Sequence, residues 1–274
     1  MQTEKVQFTR EKETLLATLY ARALESQSKD PILHDPAAEE AIRRIDYDFK
    51  RFKMSTTDLL GIVSRAKQFD LWTAEYLSSN PRAIVLYLGC GLDSRVFRID
   101  PPASVRWFDV DYPEVIELRR RLFPERAGYQ MIGSAVTAPG WLEEIPADRP
   151  AMILAEGLLM YLSADEVPVL LERLVNYFPA GQLAFDSVSR LGLKMQKNNK
   201  AVSATGAVLG WGLNDPHELE RQIPRLKLVN VLTAVDPDLP GLNKMPGSTR
   251  MVLKIMKFIP PLKNLAHILR YRFS

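Results

Sequence analysis

The spacing of apolar positions changes near residue 82, and that change divides the chain. Upstream, apolar residues recur at helical intervals. Leu15, Leu16, Leu19, Tyr20 and Ala23 form one stripe, in a segment that ends near Lys29-Asp30-Pro31. A second helical pattern starts after Asp35-Pro36, where proline suits a first turn that has no use for its missing N–H. A third runs from about Thr57 to Leu77 through Leu60, Val63, Ala66 and Trp72. Residues 10–80 are therefore expected to be helical and free of strands.

From Arg82 onward short apolar runs alternate with helical segments. Strands are expected at 84–88, 105–110, 129–133, 151–155 and 182–186, with helices near 113–123 and 163–178. That alternation predicts a doubly wound parallel sheet. Two late strands, 226–233 and 249–256, are joined only by a loop with Pro237, Pro240, Gly241 and Pro246, and so are expected to pair antiparallel at one edge. Residues 187–224 lack a strand but carry Lys194, Lys197, Asn198, Asn199, Gly206, Gly210 and Gly212, which suits a helical or mobile lid over the substrate side. The segment 258–274 is basic and amphipathic and is expected to pack as a tail against the domain. The expected units are a helical cap (1–80), an α/β domain (81–257) with its lid, and the tail (258–274).

Composition narrows the functional classes. At 274 residues and 46% hydrophobic, the chain can bury one sizeable core with an added helical layer. Its 36 basic and 33 acidic residues nearly cancel, so no field for nucleic acid arises. Cys90 is the single cysteine, which excludes an internal disulfide framework and fits a reducing cytoplasm. No apolar run approaches the roughly 18 residues of a membrane span. The opening MQTEKVQFTREKE is too polar and acidic for a signal or transit peptide.

The candidate chemistry begins at Ala83-Ile84-Val85-Leu86-Tyr87-Leu88-Gly89-Cys90-Gly91-Leu92-Asp93-Ser94-Arg95. An apolar strand runs into a Gly-x-Gly turn and then a helix, the opening of a nucleotide-binding sheet. Gly89 and Gly91 let the backbone turn tightly and approach a ligand. Asp93 stands where a dinucleotide's pyrophosphate would come, and a carboxylate there repels phosphate and favours a cationic group. Ser94 replaces the third glycine of the dinucleotide pattern. Both features predict a site for S-adenosylmethionine (SAM) rather than for a nicotinamide cofactor. Asp111 lies twenty residues past Gly91, where an acid accepts hydrogen bonds from both ribose hydroxyls, or instead caps the helix opening at Pro113. Asp109 is the alternative ribose acid. Glu156 follows the fourth apolar run at the carboxyl edge where such sheets bind ligands, although a salt-bridge role is also open. Tyr161 either faces the transferred methyl or fills core.

Three ordered motifs carry a resemblance: Leu-Gly-Cys-Gly-Leu-Asp-Ser-Arg, Asp-Val-Asp-Tyr-Pro-Glu-Val and Ala-Glu-Gly-Leu-Leu-Met-Tyr-Leu. Together with Tyr20 to Ser26, Asp35-Pro36, Arg65 to Asp70 and Trp211-Gly212, they resemble the leucine carboxyl methyltransferase family, and more closely its bacterial branch of tetracenomycin polyketide O-methyltransferase-like enzymes. The resemblance implies a class I SAM-dependent methyltransferase fold, SAM as cofactor and a small-molecule acceptor, with methylation of a protein's terminal carboxylate, or a catalytically silent SAM-binding protein, as the alternatives. It implies that Arg65, and less directly Arg22, reach the SAM carboxylate. Gly89 takes the place of the motif glycine, Asp111 of the ribose acid and Glu156 of the acid beyond the fourth strand. Family members that act on a protein phosphatase carry an Asp after the third strand to read adenine. Here Gly133-Ser134-Ala135-Val136 has no acid, so backbone groups or Ser134 are expected to take that part.

For the acceptor, a carboxylate needs no base at neutral pH, whereas a phenol of pKa about 10 does. His217 is the only histidine considered for that role, near the lid, although a structural place at a helix start explains it better. Arg190, after the fifth strand, is a candidate to orient an anionic acceptor.

Overall fold

The computed structural model describes residues 4–5, 11–195 and 209–274. Three helices precede the main sheet: α1 (Glu11–Ser26), α2 (Pro36–Arg44) and α3 (Thr56–Ser79). Their starts follow local chemistry. The Asp35 side chain accepts the Ala38 N–H at 3.0 Å, one residue before Pro36. Ser55 and Asp58 form a reciprocal capping box for α3. The expectation of a strand-free region is corrected at one place: Ile45–Asp46 pairs in parallel with Glu4–Lys5. Two residues per strand are too few for any periodicity to register.

Seven strands form the main sheet: β1 (Ile84–Leu88), β2 (Arg106–Asp111), β3 (Tyr129–Gly133), β4 (Ala151–Ala155), β5 (Gly181–Val188), β6 (Leu226–Thr233) and β7 (Ala266–Phe273), in the order β3-β2-β1-β4-β5-β7-β6. The first five are parallel neighbours, and β7 is antiparallel to both β5 and β6. The helices α4 (Arg95–Ile99), α5 (Pro113–Leu122) and α6 (Glu166–Tyr177) make the crossovers. Every residue of β1 and β4 is buried, which is why both read as unbroken apolar runs. On one face Leu86, Phe108, Ile153 and Phe185 pack with Leu171 and Leu174 of α6. On the other, Val85, Trp107 and Met152 pack with Phe69, Trp72 and Tyr76 of α3. Leu16 and Leu19 of α1 join Ala38 of α2 and Leu118 and Leu122 of α5 in a third cluster, so α1 is held over the carboxyl ends of β1 and β2.

The late strand pair is corrected. Residues 249–256 lie in a helix, α9 (Gly247–Met256), and the strand that pairs with β6 comes from the segment expected to be a tail. Nor does that strand close the edge: it inserts between β5 and β6. Burial on both faces decides the matter. β7 buries Leu269, Tyr271 and Phe273 on one face and Ile268 on the other, with Arg270 held by Glu75 at 2.8 Å and lying over the Trp72 ring. The run at 249–256 has Arg250 and Lys254 a helical turn apart and buries none of its residues. Tyr271→Ala is accordingly expected to lose about 3–5 kcal/mol of stability, and Val252→Ala less than about 0.5, in denaturant unfolding.

Of the segment expected to form a lid, the described residues include the two flanks. A short helix, α7 (Arg190–Lys194), follows β5, and Leu209, Trp211 and Leu213 return to buried positions before α8 (His217–Gln222). Lys197, Asn198, Asn199 and Gly206 lie outside the described residues.

Candidate active site

The strand order reverses between β1 and β4, and crevices at such a point bind ligands in open α/β sheets. Here the turn after β1 carries Gly89 at φ +60° and Gly91 at φ +50°. A Cβ at Gly89 would lie 2.8 Å from Leu158 Cδ1, so both backbone conformation and space demand glycine. The Gly91 N–H donates to Asp111 Oδ2 at 2.7 Å, and the Tyr112 N–H donates to Asp111 Oδ1 at 2.7 Å. Asp111 therefore braces the glycine turn from the end of β2. It does not cap α5, whose first turn has no side-chain acceptor.

A cavity of about 400 Å³ opens beside this turn, in the usual range for small-ligand sites. One end is charged: Arg22 from α1, Arg65 from α3, Asp93, Asp111 and Glu156 line it with Gly89 and Gly91. Apolar side chains line the rest: Leu158 against the Gly89 turn, Met160, Tyr161 and Leu209 packed together, and Ile62 and Leu162. Eight of the eleven residues expected to form the site thus line one cavity.

Arg190, His217 and Ser134 do not line the cavity. Arg190 is exposed and pairs with Glu218 at 3.2 Å, because α7 turns its polar side to solvent. His217 is exposed at the start of α8, where its ring pairs with Glu220 one turn on. The general-base and acceptor-orienting roles expected of these two are therefore withdrawn. Ser134 donates its N–H to the Asp111 carbonyl at 2.8 Å and its hydroxyl to the Ala135 carbonyl at 3.1 Å, so its polar atoms serve the β3 turn. Asp109, the alternative ribose acid, is buried and bonded by Arg119, by the Tyr129 hydroxyl at 2.6 Å and by Trp107 Nε1 at 2.8 Å. Cys90 is buried, and burial pushes its thiol well above the ordinary range, so it packs rather than reacts.

The charged end is one connected network. Arg65 Nε donates to Glu156 Oε1 at 3.0 Å and its Nη1 to Asp186 Oδ2 at 2.8 Å. Arg95 Nη2 donates to Glu156 Oε2 at 2.5 Å and its Nε to Asp70 Oδ1 at 2.6 Å. Arg98 bonds Asp35 at 2.7 Å, Asp93 at 2.6 Å and Asp70 at 2.9 Å. The Gly157 N–H, on a residue at φ +64°, donates to Asp186 at 2.5 Å. Burial favours the neutral form of Asp93, but Arg22, Arg98 and Arg95 around it hold its carboxyl well below the ordinary value. Asp93 lines the cavity, as Glu156 does, and its oxygens accept from Arg98 and from the Tyr87 hydroxyl at 2.9 Å, so its negative charge is shared with the arginines around it.

The favour shown to a cation belongs to the network as a whole. Asp35, Asp70, Asp93, Glu156 and Asp186 supply five carboxylates, against four guanidinium groups from Arg22, Arg65, Arg95 and Arg98. One negative charge is left over. SAM, with an ammonium, a sulfonium and a carboxylate, carries one net positive charge. Arg22 Nε is buried without a hydrogen-bond acceptor and lies 3.9 Å from Asp93, which leaves a donor at this end for an anionic group. The residues present therefore fit the methionine part of SAM.

Asp70, Arg95, Arg98 and Asp186 were not singled out from the sequence. Two signals were there: Arg95 places a cation at a helix amino end, against the dipole, and so announces an acidic neighbour. Asp186, like Glu156, is an acid closing an apolar strand at the carboxyl edge.

The chain matches the leucine carboxyl methyltransferase family over residues 15–175. It is 43% identical over 270 residues to the tetracenomycin polyketide synthesis O-methyltransferase TcmP of Streptomyces glaucescens, covering 98% of this chain and 99% of that one. It is 35% identical over 244 residues to the SAM-dependent methyltransferase dpfgK of Gibberella zeae, covering 81% and 82%. Among solved structures, a DUF574 family protein from Streptomyces avermitilis superposes with a TM-score of 0.60 at 14% identity, covering 97% of this chain and 98% of that one. The plantazolicin methyltransferase BpumL, solved with S-adenosylhomocysteine (SAH) and a substrate analogue, gives 0.50 at 13% identity over 96% and 99%. Those two show the fold. With the motifs, the cavity and the near full-length relative in agreement, the chain belongs to the leucine carboxyl methyltransferase family and is a SAM-dependent O-methyltransferase.

Proposed function

We propose that the acceptor is the carboxylate of a small, polyketide-like metabolite, bound at the apolar end of the cavity. The observation that carries this reading is the composition of the cavity wall. Among the described residues it holds no histidine and no lysine, while its carboxylates are engaged by arginines or by backbone N–H groups. A phenolic acceptor would need a base there, and a carboxylate of pKa near 4 arrives already ionised. The involvement of TcmP in polyketide synthesis supports the metabolite class.

When bound, SAM supplies an electrophilic methyl group on a positively charged sulfur. The chain's residues do the holding. Glu156 takes the ammonium, Arg65 and Arg22 the carboxylate, and Asp111 the ribose hydroxyls. Ile62, Met160, Tyr161 and Leu162 keep the acceptor end dry, and a dry wall strengthens attraction between carboxylate and sulfonium. Positioning of this kind can remove roughly 7–11 kcal/mol from the barrier of a displacement. The partner is a small molecule and not a nucleic acid, which the near-balanced charge supports. Cytoplasmic residence remains part of the reading, supported by the lone buried thiol. Among the described residues no helix is long and apolar enough to cross a membrane.

A methyl-transfer screen over matched aromatic acids and phenols tests the proposal. The expected product is an ester that releases methanol in mild alkali. Transfer confined to phenols, giving alkali-stable ethers, would overturn it. Asp111→Ala is expected to weaken SAH binding at least tenfold in calorimetry, and to lower stability by about 1–3 kcal/mol because the Gly91 and Tyr112 N–H groups lose their acceptor. Unchanged affinity would remove Asp111 from the ribose site.

A further inference from the structure

The segment 247–263, outside the cavity and the sheet, has no buried residue at all. It nonetheless carries five large apolar side chains in the open: Phe258 at 84% exposure, Met251 at 60%, Ile255 at 55%, Val252 at 53% and Ile259 at 41%. Exposed apolar residues scattered singly need no explanation, but five within nine positions form a patch. Placed at about 100° per residue, α9 shows three stripes. Thr249, Leu253 and Met256, the half-buried positions, face the protein. Met251, Val252 and Ile255 form an outward apolar stripe that Phe258 and Ile259 continue. Arg250, Lys254 and Lys257 form a basic stripe beside it, extended by Lys263. No Asp or Glu follows Asp238 in the chain.

We propose that this ridge docks the enzyme on an anionic phospholipid surface, with α9 lying in the headgroup plane. Charge selects the occupant. An apolar stripe flanked by cations and free of acids matches a negatively charged interface, with the lysine stems reaching back to the headgroups. A second copy is disfavoured, because a two-fold contact of the ridge with itself would set the four cations against their own copies. A protein partner would need a concave, acidic groove shaped to a convex ten-residue helix, whereas a lipid interface makes no demand on shape. The ridge also stands close to the reaction. Thr249 Oγ1 lies 3.0 Å from Thr57 Oγ1 on α3, and Ile62 of the cavity wall is five residues further on, about 7.5 Å along the helix. An acceptor dissolved in the lipid surface would thus be collected near the apolar end of the cavity.

Flotation of the full chain with vesicles tests this. Binding is expected to vesicles of phosphatidylcholine containing about one-third phosphatidylglycerol, at least tenfold tighter than to phosphatidylcholine alone, and to weaken in high salt. The double variants Ile255→Ser/Phe258→Ser and Lys254→Glu/Lys257→Glu should each lose at least tenfold in binding, with unchanged unfolding midpoints and unchanged SAH affinity. Absence of vesicle binding, equal binding to neutral vesicles, or retention of binding by both variants would overturn the proposal. So would lipid-free dimerisation abolished by the same variants, or tighter retention by a soluble acidic polypeptide than by the vesicles.

Discussion

Arg95→Met is expected to destabilise the fold by about 3–5 kcal/mol and to abolish measurable SAM binding. The Arg95 side chain is fully buried between Asp70 and Glu156, at 2.6 and 2.5 Å, with Asp93 at 3.4 Å and the Tyr87 ring beneath it at 4.7 Å. Methionine fills similar volume but leaves those buried carboxylates facing one another without their cation. Glu156 then loses the contact that fixes its orientation. Arg95→Lys should recover part of the stability and little of the binding, because one ammonium cannot serve two carboxylates in the guanidinium's planar geometry. Denaturant unfolding and calorimetry on the same preparations measure both effects. If binding survives with wild-type affinity, the network does not position the methionine end.

Acid should attack the same network. Asp93 is held below its unfolded value of about 3.9, so its stabilisation is present above that pH and is lost as pH falls through the folded value. Asp111 and Asp186 are raised, chiefly by burial, so their contribution has the opposite sign and declines as pH rises past the unfolded value. Stability below about pH 4 should therefore fall more steeply in the wild type than in Asp93→Asn.

The second large effect concerns rate. Under saturating SAM and acceptor, turnover is expected to change by less than about threefold between pH 6 and 9, because a carboxylate of pKa near 4 is ionised throughout. A phenol of pKa about 10, unassisted, would gain about tenfold per pH unit over the same range. His217, the residue that could have flattened such a profile, stands outside the cavity, so His217→Ala should leave the profile unaltered. A log-linear rise with pH would identify a hydroxyl acceptor.

The positions of β1, β2 and β4 were legible because strands buried on both faces read as apolar runs between polar turns, and the half-exposed edge strand β3 followed from its place in the alternation. So were Gly89, Asp111 and Glu156, since position at the carboxyl edge follows once the strands are placed. β7 was not legible. Its alternation, Ala-His-Ile-Leu-Arg-Tyr-Arg-Phe, contains two arginines that look solvent-bound until Arg270 is seen against Glu75 and Trp72. Residues 249–256 are apolar enough for a strand, and only the helical offset of Arg250 and Lys254 betrays them. Asp93 was placed at the cavity, but its arginine partners were not legible, because they come from α1 and α4, with no pattern to announce them. Arg190 and His217 were proposed from proximity in the chain, which does not report the direction in which a short surface helix turns its polar side.

The central claim is that the four-arginine, five-carboxylate network holds the methionine end of the donor while the apolar wall receives the acceptor. A crystal structure of the complex with SAH tests it most directly. The account predicts the ligand's amino group on Glu156, its carboxylate facing Arg65 and Arg22, its ribose hydroxyls on Asp111 and its sulfur turned toward Met160 and Tyr161. Ligand bound with the adenosine where the methionine end belongs, or outside this cavity, would contradict it.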